Sequence, residues 1–257
     1  MEIKMATEEN IIDLFVPCCP SEDKYINAIK FIANLWREFR FKSGWKGFIA
    51  YELDIPIGRV ELWPIEEGIN LISGKDLYFM PCIWVLPNFR KRGVGKALIE
   101  EVIKNTIDRS GVMTIGIDGE EWMPISFFKK FDFEEIKLSG LNHPFKSLIK
   151  KYKEIETPKL LKPTFNHLKK ENKVVVEIVK NLRCPFTIVW YEKLKDTIKE
   201  FGDKIELVEY VPLTKDEILK YGSTNVYVDG EEPFFGPLSS DEIRKILNEY
   251  LSKKGLI

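Results

Sequence analysis

IWVLPNFRKRGVGKALIEEVIKN, Ile83 to Asn105, is an apolar run broken at Pro87, a basic turn with two glycines, and an amphipathic helix that starts at once. The turn reads Arg90-Lys91-Arg92-Gly93-Val94-Gly95. Glycines at a strand-to-helix junction let the backbone wrap closely around an anion, because no Cβ stands in the way. The unpaired amides of the helix start point at that anion, and the helix dipole favours it. A diphosphate suits such a turn. The alternative is an ordinary strand-turn-helix connection whose basic turn faces solvent.

The spacing excludes several phosphate loops. A Walker loop needs G-x-x-x-x-G-K-[ST], but Lys96 is followed by Ala97 and the glycines are too close. A dinucleotide fingerprint wants G-x-G-x-x-G, and only Gly93 and Gly95 are present. What remains is [RQ]-x-x-G-x-G between a strand and a helix. With the V-x-P-x-[FY]-R lead-in from Val85 to Arg90, and Val94, Leu98, Ile99 and Val102 at helical spacing, it resembles the acetyl-CoA signature of the GNAT (general N-acetyltransferase) superfamily.

Working outward, MEIKMATEEN reads as a strand running into a helix capped near Thr7, and Glu22 to Phe41 as a helix with Ile26, Ile29, Ile32, Ala33 and Trp36 on one face. GFIAYELD and IGRVELWPI alternate around an Asp54-Ile55-Pro56 turn, as a hairpin does. A strand from Leu77 to Val85 leads into the basic turn. VMTIGIDG is a further strand, MPISFFKKFDFEEIK a short helix and a strand, and FKSLIKKYKEI a closing strand. This order resembles the GNAT order over Met1 to Lys153. The expected fold class is α/β (α+β): a mixed, mostly antiparallel, splayed sheet with flanking helices.

The resemblance implies an N-acetyltransferase that moves an acetyl group from acetyl-CoA, as co-substrate, to an amine acceptor. The amine attacks the thioester directly in a ternary complex. Backbone groups of Ile83, Trp84 and Val85 are expected to pair with the pantetheine arm like an added strand. The diphosphate is expected on the amides of Lys91, Arg92, Gly93, Val94, Gly95 and Lys96, with charge from Arg90, Lys91 and Arg92. The acceptor is expected beside Pro17 to Asp23. The sequence departs from the family pattern where a Tyr-x-x-x-Gly-Phe is frequent: it reads Phe128-Lys129-Lys130-Phe131-Asp132-Phe133. Phe128 has no hydroxyl to protonate a thiolate, and Asp132 stands at the glycine position, where Asp tolerates a left-handed turn. An Asn frequent before that helix is replaced near Glu120 and Glu121. The alternative reading is therefore an acyl-CoA-binding sensor without turnover.

Proton acceptors for an amine are Glu61, Glu120, Glu121 and Cys82, each with a plain structural reading. Glu61 lies in an alternating strand as a solvated residue, the Glu120-Glu121 pair favours a helix dipole, and Cys82 is a small buried apolar residue. His143 and His167 fall in loops.

From about Lys173 the style changes to β-α-β-α-β-β-α. KVVVEIV and KIELVEYV are strands, TNVYVDGEEPFFGPL a hairpin turning at Asp229-Gly230, and SSDEIRKILNEYL a helix capped by Ser240. The order resembles the thioredoxin fold, with Cys184-Pro185-Phe186 in the place of C-x-x-C. Thr187 holds the second cysteine position, so no internal dithiol forms, and Gly222 to Asn225 lack the usual proline. The arrangement resembles acetyltransferases with a YoaP-like C-terminal domain. Expected domains are 1–153, a lysine-rich linker 154–172, and a thioredoxin-like 173–257.

The 257 residues suffice for two cores, and 44% hydrophobic with 31% charged residues is ordinary for a globular protein. No apolar run reaches membrane-spanning length, and Glu2 and Lys4 flank no signal-like segment. Cys18, Cys19, Cys82 and Cys184 give neither a disulfide framework nor zinc-ligand spacing, so a reducing cytoplasm and no metal are expected. A net charge of −1 exerts no global pull on nucleic acid. The lysines from Lys146 to Lys170 read as a solvated face. The oligomeric state, a homo-oligomer included, stays open, as does the acceptor.

Overall fold

The computed structural model describes residues 1–19, 21–119, 122–138, 145–234 and 237–257. The chain divides into two compact units, residues 1–68 with 72–161, and residues 69–71 with 162–257.

The first unit begins with β1 (Glu2–Met5), α1 (Ile11–Phe15) and α2 (Asp23–Leu35). Then come β2 (Lys46–Glu52), β3 (Ile55–Pro64), β4 (Ile72–Ser73) and β5 (Leu77–Val85). After β5 follow α3 (Val94–Lys104), β6 (Gly111–Ile117), α4 (Ile125–Lys129), β7 (Glu134–Ile136), β8 (Phe145–Lys151) and β9 (Lys159–Leu160). One sheet has the order β1-β2-β3-β5-β6-β8-β7, while β4 pairs with β9 apart from it. Only β5 and β6 run parallel; the other neighbours are antiparallel. The sheet is mixed and mostly antiparallel, with flanking helices.

Local chemistry moves some expected boundaries. The helix expected to start near Thr7 starts instead after Asn10, whose Oδ1 accepts from the Thr7 amide at 2.7 Å while its Nδ2 donates to the Met5 carbonyl. The hairpin turns on Leu53 and Asp54, at φ 49° and 64°, rather than on Asp54-Ile55-Pro56. A two-residue turn matched to strand twist needs positive φ at both positions. Pro56 instead sits in β3 opposite Tyr51, beside a register irregularity, where a missing donor is tolerated. The α2 helix gives way to a π-helical turn at Trp36–Arg40 and stops at Gly44, φ 72°.

Alternation in β3 sends Val60 and Leu62 to a core with Leu98, Ile99 and Val102 of α3. Arg59 and Glu61 take the other face, where Phe15 and Trp36 pack edge-on at 5.4 Å. The sheet splays as expected. The β5–β6 ladder runs only from Leu77–Met80 against Gly111–Thr114, and beyond it the Thr114 hydroxyl donates to the Met80 carbonyl at 2.6 Å. Past Met80, β5 keeps its partner β3 but has no ladder with β6.

The second unit contains β10 (Val174–Val179), α5 (Pro185–Lys199), β11 (Ile205–Tyr210), α6 (Lys215–Tyr221), β12 (Asn225–Val228) and α7 (Ser240–Lys253). The sheet order is β11-β10-β12, with β10 parallel to β11 and antiparallel to β12. Val174, Val176 and Ile178 form the core with Tyr191 and Leu194 of α5 and Leu247 and Leu251 of α7. The cap of α7 is Ser239 rather than Ser240. Glu242, three residues on, completes a capping box with Ser239, a spacing that Ser240 cannot satisfy. The expected turn forms at Asp229 and Gly230, φ 50° and 81°, closed by a Val228–Glu231 bridge. Among the described residues no second hairpin strand follows it, and Phe235 and Gly236 lie outside them.

Candidate functional site

Where β5 loses its partner, a cleft of ≈ 630 Å³ opens between the end of that strand, the start of α3 and the segment carrying α4. Ile83, Trp84, Val85, Arg90, Lys91, Gly93, Gly95 and Lys96 line it, so most of the residues expected to hold a cofactor come together. Arg92 and Val94 do not line it. Arg92 turns away to Glu52, 2.9 Å from Oε1, and Val94 is buried in the core.

The glycines are needed for two different reasons. Gly93 caps α3 at φ 86°, a left-handed conformation that favours glycine, and a Cβ there would meet nothing within 4 Å. Gly95 is needed for space: a Cβ there would stand 3.2 Å from the Phe127 ring. No side chain caps α3, so the amides of its first turn are left to an external acceptor. Arg90 lies over the Trp84 ring at 4.7 Å and donates from Nε to the Val85 carbonyl, which fixes its cation at the mouth.

The opposite wall is Met123, Pro124, Ser126, Phe127, Lys130 and Phe131. None of these was singled out from the sequence as a wall residue. The apolar spacing around α4 is visible there, but only the sheet order brings that face over β5. Met123 adopts φ 50° and its Sδ accepts from the Ile83 amide at 3.3 Å. Phe128 is fully buried against Phe127 and Phe133, on the core side of α4 rather than in the cleft. Asp132 does take the left-handed conformation, φ 60°.

The proton-acceptor candidates lie elsewhere. Glu61 is not the solvated residue that alternation suggests. It is 1% exposed and ion-paired to Arg59 at 2.7 Å, and Trp45 Nε1 reaches its other oxygen at 3.4 Å. The reason is that α1 and α2 cover this face, which a strand pattern alone cannot reveal. Burial opposes the charge of Arg59, yet Glu61, with Cys18 and Cys82, holds its pKa well above the ordinary arginine value. Cys82, half-buried, stands opposite Glu61 in the ladder, and Cys18 accepts from Arg59 Nη1 at 3.6 Å. Glu120, Glu121 and His143 lie outside the described residues. In the second unit, His167 lies in a loop as expected, with Nδ1 2.9 Å from buried Glu177, and Cys184 stands at the N-cap position of α5 with no side-chain capping bond. Among the described residues no group of three or more His, Cys, Asp or Glu could hold a metal, and no helix is long and apolar enough to cross a membrane.

The cleft can therefore receive an elongated molecule. An anionic head would meet the α3 amides with Arg90, Lys91, Lys96 and Lys130, and an amide-bearing arm would meet the unladdered edge of β5 and an apolar wall. Residues 43–135 match the acetyltransferase (GNAT) domain family. Among solved structures the chain is similar to a GNAT-family acetyltransferase from Staphylococcus aureus Mu50, at 16% identity over 59% of this chain and 100% of that one, TM-score 0.41. It is similar to the PaiA N-acetyltransferase of Thermoplasma acidophilum in complex with coenzyme A, at 14% identity over 59% and 100%, TM-score 0.41. A third is a GNAT-family acetyltransferase of Brucella melitensis in complex with acetyl-CoA, at 14% identity over 61% and 90%, TM-score 0.39. Comparison with curated proteins finds no match.

Proposed function

We propose that the chain is an N-acetyltransferase that uses acetyl-CoA as co-substrate and an amine as acceptor, joined by direct attack in a ternary complex. The observation that carries this reading is the convergence of the Gly93–Gly95 turn, the uncapped start of α3 and the unladdered end of β5 on one cleft. Acetyl-CoA, when bound, supplies an acyl group activated as a thioester. The α3 amides and the surrounding cations hold its diphosphate, and the backbone of Ile83, Trp84 and Val85 aligns its arm as an added strand. The protein then contributes orientation and exclusion of water. Acceptor binding is assigned to the other face of β3 and β5, beside Cys18, Cys19 and Cys82. Cys82 stays a candidate proton acceptor there, and Glu121, outside the described residues, stays a candidate from the sequence. Glu61, held by Arg59, is assigned a positioning role.

A second reading, an acyl-CoA sensor without turnover, is favoured by one observation: the position at which the family frequently carries an acid is Phe128, without a hydroxyl and inside the core. Release of CoA thiol from acetyl-CoA, followed across a panel of primary amines, separates the two. Amine-dependent release supports the enzyme. Saturable binding with no release above the protein-free rate supports the sensor and overturns the enzyme.

The second unit is proposed to be a thioredoxin-like module without dithiol chemistry, acting as a docking surface in a cytoplasmic protein. Its β11-β10-β12 order and the position of Cys184 at the start of α5 support this, with Thr187 in place of the second cysteine.

A further inference from the structure

We propose that Met123 limits the acyl group to a short one, making the inner end of the cleft fit acetyl and exclude longer chains; this rests on the acyl-CoA reading above. After Met80 the β5 and β6 ladders part, and the gap holds the thioether of Met123, with Sδ on the Ile83 amide at 3.3 Å. The backbone of Met123 is pinned. Its carbonyl accepts from Ile117 at 3.1 Å, and Pro124 bridges to Ile117. Gly116 leaves that carbonyl room, since a Cβ there would stand 3.2 Å from it. The residue is 1% exposed and held at φ 50°, a conformation uncommon for a side chain of this size.

Fixed backbone and unbranched side chain together make Met123 a stop with a movable tip. The basic turn follows the C-terminal end of β5 at Val85, and Met123 stands two residues further in, at Ile83. An arm laid along Val85, Trp84 and Ile83 therefore carries its far end towards the thioether. A thioether is a weak acceptor, so the Ile83 amide is readily given up to a carbonyl of the arm. The methyl of an acetyl group asks only for the tip to turn. Each further methylene asks for volume that Met123 and its core neighbours Met80 and Ile125 already fill.

The test is calorimetric binding of CoA, acetyl-CoA, butyryl-CoA and hexanoyl-CoA to the full chain and to Met123→Ala, Met123→Leu and Met123→Gly. Misplaced methylenes are discriminated by about tenfold or more. Wild type is expected to hold acetyl-CoA at least about tenfold tighter than butyryl-CoA, Met123→Leu to retain that ratio, and Met123→Ala to erase it by tightening butyryl-CoA. Met123→Gly, which relieves the positive φ, stands in for Met123→Ala if that variant does not fold. Equal affinity of wild type for acetyl- and butyryl-CoA overturns the proposal and leaves acyl-CoA binding intact. So does an unchanged ratio in the folded truncation. Failure of wild type to bind any of the four compounds overturns both.

Discussion

Glu61→Ala should destabilise the first unit by about 3–5 kcal/mol, the cost of stranding a buried charge. The magnitude follows from position. Arg59 Nη2 and Glu61 Oε1 are 2.7 Å apart, and the side chains are 2% and 1% exposed. Removal of the carboxylate leaves the buried guanidinium against the Phe15 ring, at 5.2 Å, beside the weak acceptor Cys18 Sγ. Replacing both partners by apolar residues of similar volume, Arg59→Met with Glu61→Leu, should cost little or stabilise, since neither charge then needs solvation. Urea unfolding followed by tryptophan fluorescence reads this directly, because Trp36, Trp45 and Trp63 pack around this face. With an m-value of about 1–3 kcal/mol/M, the single variant should lower the midpoint by at least about 1 M. A loss under about 1 kcal/mol at unchanged m refutes the reasoning. If the folded double variant retains turnover, Glu61 is also excluded as the base.

Phe128→Tyr should lower stability by about 1–3 kcal/mol, because it places a hydroxyl inside the core, and should not raise turnover; a gain in rate would show that this position reaches the reacting end of the cleft. Gly95→Val should weaken acetyl-CoA binding by at least about tenfold, or ~1.4 kcal/mol, because the new side chain meets Phe127 and fills the cleft, and calorimetry checks it. Burial pushes the Tyr191 hydroxyl up from 10.0 to about 12. The unfolded chain ionises first, so the contribution of Tyr191 to the second unit's stability is full below pH ~10 and falls by about 1.4 kcal/mol per pH unit up to ~12. Denaturant midpoints from pH 9 to 12 should show a slope summed over Tyr191 and the likewise raised Tyr210, Tyr227 and Tyr250, and Tyr191→Phe should lessen it by the Tyr191 share.

The fold of the first unit was legible because its signals are local. Two glycines after a strand, a helix with period 3.6 and alternating hairpin strands each need only neighbouring residues to be read. The turn at Leu53-Asp54 and the cap at Ser239 were displaced by one residue, because dihedral demands and capping spacing outrank composition. Of the residues expected on the cofactor side, Ile83, Trp84, Val85, Arg90, Lys91, Gly93, Gly95 and Lys96 line one cleft, whereas Val94 is buried in the core and Arg92 pairs with Glu52, a partner far away in sequence. What stayed hidden depends on sheet order. β6 parts from β5 after Thr114 while its other edge stays paired with β8 throughout, so the 122–131 segment becomes a wall and Met123 enters the gap. Glu61 carried an alternating pattern that helices from the start of the chain then covered. In the second unit the element order was legible up to β12, while the second hairpin strand expected after Asp229-Gly230 is not found among the described residues.

The most direct test of the central claim is a thermal melt of the purified chain with and without acetyl-CoA, compared with Gly95→Val. If the cleft at Gly93 to Lys96 binds the compound, acetyl-CoA at one hundred times its dissociation constant adds about 2.7 kcal/mol to wild type and raises its melting temperature, and the shift shrinks in the variant. No shift in wild type at millimolar acetyl-CoA, or an equal shift in both proteins, would contradict the account.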